Sequence, residues 1–294
     1  MTSILTNPAS ITALQNLRST QMSLQDVQRE ISTGLKISSA ADNASTWSIT
    51  ATMRSDQNVL GTLEDSLGTS SSILGIASAA VNSAISVVNS IKTAAAQAQQ
   101  PGADINKIGT NLTQLGQQLS SIVSSASFMG LNLLDGSSNG SAKFIASYTD
   151  NAGTAASNVG TIDLNTTTLV GGGAGILETA QATGANAATN FTALSSADLA
   201  NGVVADTLSN ADKAIAQLTT YASDIGAVQS RVTAQTTFTK TLVDALTTGI
   251  SSLVDADMNE ASTRLQALQT QQQLGVQSLS IANQNSQMIM KLFQ

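Results

Sequence analysis

The chain has 294 residues, a net charge of −7 and 118 Ser, Thr, Gln and Asn residues, against 12 basic and 19 acidic ones. With no His and no Cys it lacks a His general base, a Cys nucleophile, a Ser-His-Asp triad and any zinc site built from Cys and His. The acidic balance has the wrong sign for neutralising phosphates and excludes nucleic acid as a partner.

Two Pro and 3% aromatic residues allow long uninterrupted helices and demand an aliphatic core. The opening MTSILTNPAS has neither a basic region nor an apolar run, so no cleavable secretory signal is expected. No stretch approaches 18 consecutive apolar residues, so no membrane insertion is expected either. The absence of Cys suits a secreted chain that crosses compartments unfolded.

Asn7-Pro8 reads as an N-cap followed by Pro at the first helical position. Behind it Leu17, Leu24 and Ile31 keep a seven-residue step, with Leu14 and Leu35 flanking Gln21 and Gln28 in the companion row. Asp42-Asn43 caps a second block. There Met53, Leu60, Leu67, Leu74, Val81, Val88 and Ala95 form one apolar row, and the companion row Ile49 to Ile91 is broken only by Asp56 and Ser70. Trp47 reads as a packing residue near the start of that helix. Pro101-Gly102 with Asp104 ends the second block and opens a third, whose rows are Ile105, Leu112, Leu119, Ala126 and Ile108, Leu115, Ile122, Met129.

From 137 to 203 the stripes stop and the composition turns to Gly, Ala, Ser, Thr and Asn. Lys143–Thr149 and Gly160–Val170 alternate loosely and predict a β-hairpin in a loop-rich insert. A fourth block follows from about Val204 to Leu253. Its rows run through Val204, Ala211, Leu218, Ile225, Val232 and through Leu208, Ile215, Ala222, with Gln229, Thr236 and Thr239 as misfits. Asp257 with Glu260 opens the last helix. Its rows are Met258, Leu265, Leu279, Phe293 and Ala261, Leu268, Ala282, Ile289, interrupted by Gln272, Gly275 and Ser286.

The expected fold is therefore dominated by α-helix, an elongated rod or coiled-coil bundle with a small hairpin-containing insert. A helix of about 50 residues is roughly 75 Å long, whereas a compact globule of this length is only about 50 Å across. The three central blocks lie side by side on this reading, and the two terminal helices extend from one end.

No constellation for catalysis, metal or cofactor binding survives inspection. Gly171 to Gly175 lacks the spacing of a phosphate loop and reads as a flexible turn. Asp255, Asp257 and Asn259 alternate like the start of a calcium loop, but Glu260 stands where that loop needs Gly, so the segment reads as a helix cap. Glu64-Asp65 reads as solvated charge. The last helix is the anomaly: from Leu265 to Met290 there is no charged residue, and 14 of these 26 positions are Gln, Ser, Thr or Asn. Surface helices carry ions, whereas interface cores shed them. The segment reads as buried by other subunits.

Five stretches in order resemble bacterial flagellin: ISTGLKISSAADNAS (Ile31–Ser45), FMGLNLLDG (Phe128–Gly136), DIGAVQSRV (Asp224–Val232), SSLVDADMNEAS (Ser251–Ser262) and IANQNSQMIMKLF (Ile281–Phe293). The resemblance covers both ends and about three quarters of the length. It implies terminal coiled helices (1–42 with 257–294) at the inner filament core, a helical rod domain (43–136 with 204–256) and a variable surface insert (137–203). It further implies export through the flagellar type III pathway and polymerisation into the extracellular motility filament. Self-association would rest on Leu17, Leu24, Ile31, Leu265, Leu268, Leu279, Ile289 and Phe293. Expected partners are further copies of the chain, an export chaperone, the export apparatus, and hook-associated and cap proteins, with no cofactor. The short insert implies that the large outer domains of longer flagellins are missing. Asn89–Ala94 departs from the family stretch implicated in innate immune recognition. The rival readings are a hook–filament junction protein and, from another class, a secreted translocator that inserts helices into membranes.

Overall fold

A computed structural model describes residues 7–137, 140–149, 158–171, 173–181, 185, 187–200 and 204–292; the side chains of 158, 197, 200 and 285–292 are not described. Its elements in order are α1 (Pro8–Thr33), α2 (Ala44–Ala98), α3 (Ile105–Ser125), β1 (Ser127–Phe128), β2 (Leu131–Asn132), β3 (Ser141–Thr149), β4 (Asn158–Asn165), α4 (Ser196–Ala200), α5 (Val204–Val254) and α6 (Met258–Leu292). Helix thus dominates, as the periodicity predicts. The chain forms two compact units, one of residues 1–58 and 244–294 and one of residues 59–243, with α2 and α5 contributing to both.

The helices begin where the sequence places caps. Asn7 Oδ1 accepts from the Ser10 N–H with Pro8 at the first helical position. Asn43 Oδ1 accepts from Thr46, Asp104 Oδ1 from Lys107 and Asp257 Oδ1 from both Asn259 and Glu260, so each satisfies donors that a helix N-terminus leaves free. Asp257 is therefore the cap of α6. Helix α1 ends at Gly34, whose φ of 71° only glycine adopts cheaply and whose N–H returns to the Glu30 carbonyl.

In the unit of residues 59–243 the stripe of α2 is buried as written: Leu60, Leu67, Leu74, Val81, Val88 and Ala95 in one row and Leu63, Ala77, Ala84 and Ile91 in the other. Ser70 is buried too, its hydroxyl bonded to the Ser66 carbonyl, so it fits the stripe it was expected to break. Helix α2 is long and apolar enough to cross a membrane by length and composition, yet both of these rows lie inside the protein, as in a core helix.

The companion rows of α3 and α5 fall one position away from the expected ones. In α3 the buried partners of Leu112 and Leu119 are Gly109, Gly116 and Val123; Leu115 is only half-buried. In α5, Val204, Ala211, Leu218, Ile225 and Val232 are buried together with Thr239, and the second row is Thr207, Ala214, Tyr221 and Val228. Glycine, threonine and tyrosine do not register as apolar, so the count chose the neighbouring row. The two glycines of α3 have a definite task. A Cβ on Gly109 would lie 2.6 Å from Ser196, and one on Gly116 2.8 Å from the Phe191 carbonyl, so α3 takes the segment Phe191–Ala200 directly against its backbone. Thr113 fixes the seat by donating to the Leu194 carbonyl at 2.9 Å.

The hairpin forms as expected: β3 and β4 pair antiparallel from Ser141↔Asn165 to Thr149↔Asn158, with an irregularity between Ile145 and Ser147. Val170 lies beyond the second strand, which stops at Asn165. Phe144, Ile162, Leu164, Leu169, Leu177, Phe191 and Leu194 are buried, so the insert region contributes to this unit's core and is more than loop. Met129 departs from the third-block stripe. It sits in the β1–β2 turn with φ of 52° and is 85% exposed. Lys92–Asp212 and Lys240–Glu64 link α2 to α5, so Glu64 is paired rather than merely solvated.

Tyr221 donates its hydroxyl hydrogen to the Leu133 carbonyl at 2.9 Å and ties α5 to the turn after β2. Burial pushes its pKa up to about 12, the Thr167 N–H opposes the rise and the charge of Asp224 adds to it. A folded-state value above the unfolded value of 10.0 stabilises the fold fully below pH 10, and that stability is lost as pH rises through about 12. The expected outcome is that Tyr221 phenolate absorbance appears only near pH 12 and in step with loss of helix. Tyr221→Phe should remove that step and cost about 1 kcal/mol of stability for the unpaired Leu133 carbonyl. Ionisation of Tyr221 near pH 10 in a still-folded protein would contradict the burial argument.

Candidate functional surface: the terminal helix pair

Helices α1 and α6 lie antiparallel. The Asn7 amide donates to the Ala282 carbonyl, the Ser10 hydroxyl to Asn283, and Leu17 packs opposite Gly275. A Cβ on Gly275 would stand 3.0 Å from Leu17 Cδ1, so this glycine, expected to interrupt the stripe, is the depression that receives a leucine. At the other end of the pair Leu35 bridges Asp255, Lys36 and Ile37 donate to the Val254 carbonyl, and Ala256 donates to the Gly34 carbonyl. Beneath these bonds lies a small core of Ile37, Ile250 and Val254, with Leu35 and Met53 against it.

This unit is far less covered than the other. Among the described side chains of α1 and α6 only Val27 and Ala261 are buried. The structure places the expected self-association residues Leu17, Leu24, Ile31, Leu265, Leu268 and Leu279 on this helix pair, each half-buried. The side chain of Ile289, and Phe293 altogether, lie outside the described residues. Ile11, Leu14, Met22, Leu274, Val276 and Ile281 are exposed. Elsewhere in the same unit Trp47 is 42% exposed, contrary to its expected packing role. Sequence reasoning missed Ile11, Met22, Leu274, Val276 and Ile281, which lie off the seven-residue rows. The signal that would have found Leu274, Val276 and Ile281 is the lack of charge on every face of α6 from Leu265 to Met290, which argues for burial on several sides; α1, which carries Arg18, Asp26, Arg29 and Glu30, gives no such signal for Ile11 and Met22.

The loop between α1 and α2 is held by one carboxylate. Asp42 Oδ2 accepts from the N–H and hydroxyl of both Ser38 and Ser39 at 2.9–3.1 Å, and Arg29 stands 3.7 Å from its other oxygen. The Ser39 and Ser38 N–H groups hold the Asp42 carboxyl below the usual carboxylate range. Asp42 thus orders the loop, and the helix cap falls to Asn43.

The glycine run is occupied by the chain itself. The N–H groups of Gly171, Gly173 and Gly175 all donate to Glu178 Oε2 at 3.0–3.1 Å, an anion cradle filled by an internal carboxylate. It is a tied turn, in contrast to the flexible one expected. Glu178→Ala should speed amide exchange at Gly171, Gly173 and Gly175 by an order of magnitude or more while leaving α1 and α6 unchanged. Unaltered exchange at these three amides would mean that the carboxylate does not order the loop.

The profile of the bacterial flagellin N-terminal helical region matches residues 4–139, and that of the flagellin C-terminal helical region matches residues 208–293. The chain is 39% identical to flagellin C of Rhizobium meliloti, with all of both chains covered. It is 38% identical to a flagellin of Brucella melitensis, covering 100% of this chain and 99% of the relative. Its alignment with flagellin A of Rhizobium meliloti, at 33% identity, runs over 394 positions and covers both chains in full, so that relative carries additional residues. Among solved structures, a flagellin of Bacillus cereus superposes with a TM-score of 0.42 at 16% identity, over 59% of this chain and 88% of the other.

Proposed function

This chain belongs to the bacterial flagellin family, whose members are structural subunits of the flagellar filament, and we propose that its terminal helix pair is the element that polymerises it. The relatives named above are all flagellins, and nothing among them points to the hook–filament junction reading. We read the chain as structural rather than catalytic.

One observation carries the proposal. Within a single chain the described side chains of α1 and α6 bury only Val27 and Ala261 and leave the leucines and isoleucines among them half-covered or exposed, next to a stretch that carries no charge from Leu265 to Met290. Covering a fully exposed side chain of this kind gains roughly 1.5–3 kcal/mol, and a half-buried one gains about half as much. Ordering the helices costs entropy that one chain recovers only in part, so folding of the ends and assembly become one event. The contacts must be heterologous and non-closing, since that geometry gives an open helical tube. We assign Leu17, Leu24, Ile31, Leu265, Leu268, Leu279, Ile289 and Phe293 to these contacts.

On this reading residues 1–42 with 257–294 form the inner layer, 43–136 with 204–256 the rod, and 137–203 the outward-facing insert. Extracellular location follows from the filament, and the lack of Cys fits export of an unfolded chain. The partners of that route are an export chaperone, the export apparatus, and the hook-associated and cap proteins.

Removing residues 257–294 should abolish sedimentable fibres and leave the cooperative melt of the unit at 59–243 in place, because the buried rows of α2, α3 and α5 are complete without α6. Circular dichroism paired with sedimentation measures both. Normal fibres from the truncated protein, or loss of the melt, would overturn the assignment.

A further inference from the structure

Nine of the fourteen charged residues of the terminal unit lie in two short stretches. Between residues 26–42 and 255–264 lie Arg29, Lys36 and Arg264 with six carboxylates, whereas Leu265 to Met290 holds none. The structure brings these two stretches together around two adjoining clefts. The first, of about 270 Å³, is lined by Asp26, Arg29, Glu30, Lys36, Asp42 and Arg264. The second, of about 230 Å³, shares Glu30, Lys36 and Arg264 and adds Asp255 and Glu260.

Part of this set is used within the chain. Arg29 pairs with Asp26 and Asp42, Asp42 also holds the loop, and Asp257 caps α6. The remainder is not. Among the described residues no ion pair reaches Lys36 or Arg264, and none reaches Glu30, Asp255 or Glu260. Two cations and three carboxylates thus face the same clefts without closing on one another. Among the described residues no group of three carboxylates converges on a point a metal ion could hold, so a bridging cation is not the partner these positions fit.

We propose that this collar is an ion-pair surface between copies of the chain, with Lys36 and Arg264 of one copy taken by Glu30, Asp255 or Glu260 of another. The inference rests on the polymerising role argued above. If copies cover α6 from Leu265 onward, Arg264 adjoins the covered stretch and Glu260 lies about one helical turn before it. That is within the Debye length of about 8 Å at physiological salt, so the approaching copy meets these charges. A charge at the edge of a region from which water is expelled is costly unless paired. The collar carries both signs, so a second copy is its natural complement, and opposed charges fix register more than they add affinity.

The test is a charge swap between full-length chains. Lys36→Glu with Arg264→Glu makes an acidic variant, and Glu30→Lys with Glu260→Lys makes a basic one. Each alone should raise the critical concentration for assembly about tenfold or more through like-charge contacts. An equimolar mixture should assemble near the wild-type concentration as an alternating copolymer. If neither variant alone is impaired, the proposal is overturned. It is also overturned if the mixture fails while a chain carrying all four substitutions assembles, because the charges would then pair inside one subunit. Monomer melts establish that the variants fold. Should a reversal unfold the unit, Lys36→Gln with Arg264→Gln replaces it: this neutral pair should flatten the salt dependence of assembly, and an unchanged salt dependence would overturn the proposal. A wild-type chain that forms no fibres would refute the polymerising role itself, a different outcome from either.

Discussion

A pair of helices packed only on each other cannot cover the apolar residues that either one carries. Each helix offers its partner one stripe, and side chains to either side of that stripe stay at the edge of the contact. Among the described side chains of α1 and α6 this shows as leucines and isoleucines that are half-buried or exposed, with only Val27 and Ala261 buried. In a chain made for solitude those edges would carry Lys and Glu. Here α6 carries Gln, Ser, Thr and Asn, which can hydrogen-bond water or a neighbour at similar cost, whereas a buried unpaired ion cannot be accommodated. The polymer is thus implied by what the helix lacks as much as by what it presents.

The unit of residues 59–243 solves the burial problem internally. Helix α2 buries two rows, α3 gives up side chains at Gly109 and Gly116 to bring Phe191–Ala200 onto its backbone, and among the described residues every buried polar side chain has a hydrogen-bond partner. Asn210, fully buried, donates to the Ala187 carbonyl and to Thr189, and Tyr221 to the Leu133 carbonyl. Such bonds fix a unique arrangement in a core otherwise made of interchangeable aliphatic groups. On the proposed reading, a frame that buries its own core and an end pair that relies on further copies are complementary properties of one subunit.

Much of this was legible in the sequence because a seven-residue stripe is a direct consequence of helix geometry. The rows from Leu60 to Ala95 and the caps Asn7, Asn43, Asp104 and Asp257 could be read from it. What escaped has a common cause. Gly109, Gly116 and Gly275 act through absent side chains, and Thr207, Thr239 and Ser70 are buried with a hydroxyl able to bond within the helix or nearby. A hydrophobic count scores both kinds as gaps. Met129 scored as apolar although a turn exposes it, and Trp47 because bulk was taken for burial. The Glu178 cradle depends on three backbone N–H groups converging on one oxygen, and a composition rich in glycine says only that such a turn is permitted. The charged collar was invisible for another reason: residues 26–42 and 255–264 are joined only by the antiparallel packing of the two ends of the chain.

The central claim is that α1 and α6 acquire their full burial from other copies. Amide hydrogen exchange on the soluble chain and on its fibres, followed at residues 8–33 and 258–292 with residues 60–95 as internal reference, tests it most directly. The account requires fast exchange in the terminal helices of the soluble chain and protection comparable to the reference in the fibre, with the reference slow in both. Terminal helices equally protected in the two states would contradict it.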